Sequence, residues 1–197
     1  MVDVVAIGCT NGSVSLVNLK MDEVLLTFTQ KEGPISSVSF LTDTRLNLSL
    51  LASTSLQSGN AVLWDLNGKK IHCELKRPHA GRAMNTVAFL FGEPVLLTAS
   101  DDDNSLKMWL LERGQSHPRL LKERSGHAEA PTRIRFYGGL DDKSARNLIS
   151  CGKDGHLRDI NLLNEFASMN FSQKKALKAM HDGCMTENGP VKQFGFS

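Results

Sequence analysis

His79, Thr98 and Asp102 bring together a nitrogen base, a hydroxyl and a carboxylate, the ingredients of nucleophilic catalysis, and Trp109 follows them as a donor-only indole. His127, Ser150 and Asp154 offer the same three chemistries further along, with Ile160 where the tryptophan would stand. A second combination is acidic: Asp101, Asp103, Ser105 and Glu112 fall at the first, third, fifth and twelfth places of a calcium loop. That match fails, because Leu106 takes the place that needs glycine and the KMWLL run reads as strand. The four cysteines, Cys9, Cys73, Cys151 and Cys184, lie far apart and form no CxxC pair. They read as reduced thiols packed as small hydrophobes rather than zinc ligands. With no Gly-rich phosphate loop, nucleophile elbow or HExxH motif either, neither metal nor cofactor is expected.

The elements that must position these groups form a repeat. The run AVLWDL at 61–66 reads as a strand, and its shape recurs at 13–19, 105–111 and 156–162. The anchor positions Val17, Trp64, Trp109 and Ile160 stand 47, 45 and 51 residues apart. That is close to the roughly 40–45 residues of a four-stranded propeller blade with modest loop insertions. An apolar-x-Phe strand precedes three of the anchors, at Val38-Ser39-Phe40, Val87-Ala88-Phe89 and Ile134-Arg135-Phe136, with spacings of 49 and 47 residues. Two independent features sharing one period make chance a poor explanation.

The fold expected is therefore all-β, a propeller with about four blades of a larger ring. The units fall at about 1–30, 31–77, 78–125 and 126–170, and 171–197 reads as a basic linker or tail. The first unit starts part-way through a repeat, with a hairpin at Asn11-Gly12 and no strand before it. Open strand edges at both ends predict poor solubility for the isolated chain.

Composition narrows the function. The chain has 197 residues, 41% hydrophobic and 22% charged, enough for a sizeable core and without a disordered signature. A net charge of +2 gives no global case for nucleic acid or an anionic membrane as partner. No apolar run approaches the ~18 residues of a membrane span, and Asp3 without a basic leader argues against a signal peptide. Cytoplasm or nucleus is the default compartment. Lys174, Lys175 and Lys178 form a small cluster, for which a solvated linker is the favoured reading and contact with RNA phosphates the alternative. Arg133 and Arg135 read as a similar surface pair.

The third unit resembles a WD repeat. In such repeats a His before the first strand, a Ser or Thr on the second, an Asp in the next turn and a Trp on the third form a buried hydrogen-bond chain. The resemblance assigns His79, Thr98, Asp102 and Trp109 to that chain, Trp64 and Asp65 to its counterpart in the second unit, and His127, Ser150 and Asp154 to a shorter one in the fourth. Each buried group left unpaired would cost roughly 1–3 kcal/mol, so the residues are explained without a catalytic cleft. A non-enzymatic binding platform follows.

Longer stretches are more specific. GHAEAPTRIRFYG at 126–138, EPVLLTASDDDNSLKMW at 93–109, GPISSVSFLTD at 33–43 and SCGKDGHL at 150–157 resemble the WD repeat-containing protein thirty-six/Utp-twenty-one family, in the same order and over nearly the whole chain. The resemblance implies a non-catalytic nucleolar scaffold, in the UTP-B subcomplex of the small-subunit processome. It would support processing of the 18S ribosomal RNA precursor. Its implied partners are other UTP-B and processome proteins and the pre-rRNA with the U-three small nucleolar RNA particle, with no membrane. Family members carry two fused propellers and a helical C-terminal region, so this chain would correspond to later blades of the first propeller and the start of the linker beyond. The competing reading is a generic WD-repeat adaptor, such as a ubiquitin-ligase substrate receptor or signalling scaffold. A propeller hydrolase would need convergent polar groups at a central channel, and none can be identified.

Overall fold

A computed structural model describes residues 3–43, 48–90, 93–100, 102–112, 117–137 and 147–161. Among them fourteen strands form four antiparallel sheets, each a simple up-and-down meander. The first holds β1 (Val4–Gly8), β2 (Ser13–Asn18) and β3 (Glu23–Thr29). The second holds β4 (Ile35–Asp43), β5 (Leu48–Ser55), β6 (Ala61–Asp65) and β7 (Lys70–Leu75). β8 (Met84–Phe89), β9 (Val95–Ser100), β10 (Ser105–Leu110) and β11 (Arg119–Ser125) make the third. β12 (Pro131–Tyr137), β13 (Asn147–Gly152) and β14 (Leu157–Asn161) make the fourth.

The strand pattern follows from alternation: in β2, Val14, Leu16 and Asn18 are buried while the serines and Val17 between them are half-buried. One turn device recurs in every sheet. Asn11, Ser58, Asp103 and Asp154 each accept, on a side-chain oxygen, the backbone N–H two residues on, at 3.0, 3.2, 3.1 and 3.1 Å. The intervening residue always has positive φ: Gly12 at 81°, Gly59 at 66°, Asn104 at 52° and Gly155 at 72°. Gly and Asn tolerate that left-handed conformation, so the local chemistry sets the same tight entry into β2, β6, β10 and β14.

The core lies between sheets. Val14, Leu16 and Phe28 of the first sheet pack with Leu51, Val62 and Trp64 of the second. Leu50, Ala52, Leu63 and Cys73 of the second meet Val87, Phe89 and Leu96 of the third. The third turns Leu97, Leu106, Met108 and Leu110 toward Ile134, Leu148 and Ile160 of the fourth. Period-two alternation sends successive residues to opposite faces, and the second and third sheets bury apolar residues on both, as stacking between neighbours requires. The innermost strands β4, β8 and β12 neighbour one another, and the backbone N–H groups of Val87 and Phe89 donate to Ser37 Oγ (3.3 Å) and Ser39 Oγ (3.1 Å) of the preceding sheet. β-Bulges fall at Leu16/Val17, Leu63/Trp64 and Met108/Trp109, the same place in three sheets. Among the described residues no strand of the fourth sheet pairs with the first, and the four sheets form an open part of a propeller.

Candidate functional site

Three polar chains thread these junctions, each on the face its sheet turns toward the preceding one. In the third sheet Trp109 Nε1 donates to Thr98 Oγ1 at 2.9 Å, and Thr98 Oγ1 lies 2.8 Å from His79 Nε2. His79 Nδ1 in turn meets the Asp103 carboxylate. The directions are forced by the two ends. An indole can only donate and a carboxylate only accept, so the Thr98 hydroxyl donates to His79 Nε2 and the ring carries its proton on Nδ1, toward Asp103. His79 and Thr98 are fully buried. Burial pushes the His79 pKa below its ordinary value, against the upward pull of Asp103, which keeps the ring neutral as the chain of donors requires. Burial also raises Asp103, but the His79 bond and charge and the Ser105 N–H hold it lower than a usual carboxylate. Lys107 closes the end of the chain, with Nζ 3.1 Å from the Pro78 carbonyl, 3.8 Å from Asp103 and 3.5 Å from Glu123.

The carboxylate is Asp103, which corrects the expectation of Asp102. Asp103 stands five residues after Thr98 where Asp154 stands four after Ser150, and each lies one residue before the positive-φ position, so Asp103 holds the place of Asp154. Asp102 points outward and pairs with Arg82 at 2.6 Å, both side chains more than half exposed.

In the second sheet Trp64 Nε1 donates to Ser53 Oγ at 2.9 Å, and Ser53 Oγ donates to Gln30 Oε1 at 2.8 Å. Gln30 replaces histidine, so this chain holds no ionisable group. Trp64 also stacks on Phe28 of the first sheet, with ring centroids 4.8 Å apart. The acid comes from the other side: Glu32, in the loop before the sheet, accepts from Ser58 Oγ (2.7 Å) and Asn60 Nδ2 (2.9 Å). Burial raises the Glu32 pKa, but these hydrogen bonds and the Lys76 charge bring it below the ordinary value. Asp65 belongs to no such chain, a second correction. Its Oδ1 accepts the N–H groups of Asn67 and Gly68, both at 3.0 Å, and so closes the turn between β6 and β7.

The fourth sheet pairs His127 Nε2 with Ser150 Oγ at 2.8 Å and His127 Nδ1 with both Asp154 oxygens at 3.1 Å. Ile160 fills the tryptophan place with a buried apolar side chain, so the chain ends at the serine. Burial raises the Asp154 pKa, but the N–H groups of Ala128 and His156 and the His127 ring together lower it to about 2. Gly152 makes room for this approach, since a Cβ there would strike both the His127 ring and Asp154. Lys174, Lys175 and Lys178 lie outside the described residues.

Gln30, Ser53 and Asp103 are the members that sequence reasoning missed. The signal for Asp103 was its place two residues before the strand, followed by a residue suited to positive φ. Gln30 stands five residues before β4, as His79 stands five before β8. All three chains lie between sheets, with Gln30, Ser53, His79, Thr98, His127 and Ser150 buried. No described group of three or more His, Cys, Asp or Glu side chains could hold a metal ion. A hydrogen-bond chain buried in this way fixes the packing around it.

The profile of the WDR36/Utp21 first beta-propeller matches residues 1–112, more than half the chain. The chain belongs to the WDR36/Utp21 family. "U3 small nucleolar RNA-associated protein 21 homolog" of Schizosaccharomyces pombe is 36% identical over 173 residues, which is 88% of this chain and 18% of that protein. Human "WD repeat-containing protein 36" is 37% identical over 164 residues, 83% of this chain and 17% of that protein. "U3 small nucleolar RNA-associated protein 21" of Saccharomyces cerevisiae is 29% identical over 204 residues, 98% of this chain and 20% of that protein. The chain thus spans a fifth or less of these WDR36/Utp21 relatives. A chain of the solved "Crystal Structure of Mitotic Checkpoint Complex" superposes with a TM-score of 0.63 over 80% of this chain and 45% of that one. At 14% identity it shares the fold alone.

Proposed function

We propose that this WDR36/Utp21-family chain is part of a non-catalytic WD-repeat scaffold in ribosome biogenesis, supporting small-subunit processome assembly and processing of the 18S rRNA precursor in the nucleolus. The observation that carries the reading is the 36% identity over 173 residues to a protein named for association with U3 small nucleolar RNA. The site supports it: His79, His127, Asp103, Asp154 and Glu32 are each engaged in hydrogen bonds within one sheet and its entry loop. What the molecule has to offer is rims and edges. Its partners in this reading are other UTP-B and processome proteins and the U3-containing pre-rRNA particle. Lys174, Lys175 and Lys178 are the candidate RNA contacts within it.

The test is recovery of the endogenous tagged product from nuclear extract, probed for U3 small nucleolar RNA and for the other UTP-B subunits. Co-recovery of both is expected. An intact protein recovered without either would remove the processome reading and bring forward the generic adaptor.

A further inference from the structure

The loop between β7 and β8 is longer than its counterparts. It runs from 76 to 83, eight residues, where the loops before β4 and β12 run from 30 to 34 and from 126 to 130, five residues each. His79 and Gln30 both lie five positions ahead of their strands, so the additional residues are the three before His79: Lys76, Arg77 and Pro78.

The insertion is held in a costly shape. Arg77 takes a φ of 47° and Ala80 one of 55°, left-handed values that a residue with a side chain seldom adopts, and Arg77 does so directly before a proline. Bracing keeps it there. The Arg77 N–H donates to Asn60 Oδ1 at 2.9 Å, and Lys107 Nζ donates to the Pro78 carbonyl at 3.1 Å. The N–H groups of Ala80 and Arg82 close two tight turns on the Arg77 and His79 carbonyls, at 3.1 and 3.0 Å. Gly59 lets the turn at 58–60 seat against the loop, since a Cβ there would strike the Arg82 carbonyl. Of the three cations this loop carries at the surface, two are already matched: Lys76 lies 3.7 Å from Glu74 and Arg82 lies 2.6 Å from Asp102. The exposed Arg77 side chain runs along Gly81, and its guanidinium meets no carboxylate among the described residues.

We propose that the 76–82 loop is a docking site for an acidic segment of a partner protein, one Asp or Glu carboxylate of which Arg77 takes in two parallel hydrogen bonds. A fixed, strained backbone suits this role, because the guanidinium is presented before the partner arrives and little ordering is left for the binding step. The planar fork of arginine matches a carboxylate. One unmet charge takes one carboxylate. A phosphodiester chain running over the loop would pass Glu74 and Asp102, and no aromatic residue stands among the exposed large hydrophobics to stack a base. Leu56, 46% exposed, opens the connection that ends at Asn60 and gives the same segment an apolar contact. The partner's membership of the processome rests on the scaffold reading, whereas the chemistry of the loop does not.

The experiment uses the full-length tagged protein recovered from nuclear extract, with its co-purifying proteins and U3 small nucleolar RNA quantified. Arg77→Glu should lower the recovery of one protein about tenfold relative to the parent. Arg77→Lys then offers carbodiimide an amine that couples only to a carboxylate it touches. The expected product is an isopeptide bond from position 77 to an Asp or Glu of that same protein, in a yield several-fold above that at the exposed Lys69. Reversing the charge of the mapped carboxylate should restore recovery with Arg77→Glu, which a misfolded variant would not allow. Coupling of position 77 only to Glu32, Glu74 or Asp102 of its own chain, ultraviolet crosslinking of RNA to the 76–82 peptide, or undiminished recovery with Arg77→Glu would each overturn the proposal. A parent protein recovered without U3 RNA, yet coupled at position 77 and rescued by charge reversal, would remove the processome reading and leave the docking site standing.

Discussion

The junction before the third sheet and the junction before the second solve one packing problem with different chemistry. Both place a tryptophan N–H on a buried hydroxyl, Trp109 on Thr98 and Trp64 on Ser53, at 2.9 Å in each case. Beyond the hydroxyl they part. The third sheet continues through a neutral histidine to an ionised aspartate in the turn, whereas the second stops at an amide and draws its acid from the preceding loop. What is held in common is the geometry of donors. The charged part differs, and an imidazole that can take up a proton stands in only one of the two junctions.

The largest effect expected within this comparison is from Trp64→Ala, which removes a buried ring stacked on Phe28 and frees the Ser53 hydroxyl. We expect a loss of about 3–5 kcal/mol in urea unfolding followed by circular dichroism. A loss below that of His79→Ala would show that the two junctions do not differ as described.

His79→Ala should cost about 1–3 kcal/mol, because Thr98 and Asp103 both lose their partner, and Gln30→Ala should cost less, because the buried hydroxyl it orphans, that of Ser53, is neutral. Parity between the two would remove the role assigned to the charge.

Acid should separate the junctions. Folding lowers the His79 pKa from its ordinary 6.5, so the folded state binds fewer protons than the unfolded chain. The stability this represents is whole above about pH 6.5 and is lost as pH falls through the folded value. Asp103 is also lowered, but its contribution persists down to its ordinary 3.8 and is lost only below that. Between pH 7 and pH 5 the loss assigned to this junction therefore belongs to His79. Thermal melts of the parent against His79→Gln over that range should show a steeper fall in the parent. Parallel slopes would contradict a neutral buried ring.

The smallest effect separates neighbours in sequence. Asp102→Asn touches an exposed ion pair with Arg82 and should change stability by about 1 kcal/mol or less, while Asp103→Asn weakens the acceptor that fixes the His79 tautomer and should cost more.

How much of this was legible in the sequence depends on what each residue had to announce. The four-sheet plan was, since Trp64, Trp109 and the Val-x-Phe strands share a period that only repetition explains. His79, Thr98 and Trp109 could be grouped because their side chains have distinct chemistry. Asp103 could not be separated from Asp101 and Asp102 by type, because the choice rests on turn length and on which residue takes positive φ. Gln30 was invisible for the opposite reason: an amide accepts a hydroxyl proton as well as an imidazole does but carries no signature of doing so. Asp65 misled because a Trp-Asp pair looks like one motif, yet successive strand residues face opposite ways and Asp65 serves its own turn.

The serine hydroxyls of β4 have a kinetic meaning as well. An innermost strand is the edge of its sheet, and its outward amides would ordinarily be open to solvent and to any invading strand. In β8 two of them, on Val87 and Phe89, are clasped by Ser37 and Ser39. The next strand has no such guard, because Ala88 lacks a hydroxyl and the buried Thr86 Oγ1 donates to nothing. Deuterium uptake should therefore be slow at Val87 and Phe89 and faster at Ile134, a gradient from one inner edge to the next that follows from the placement of two oxygen atoms.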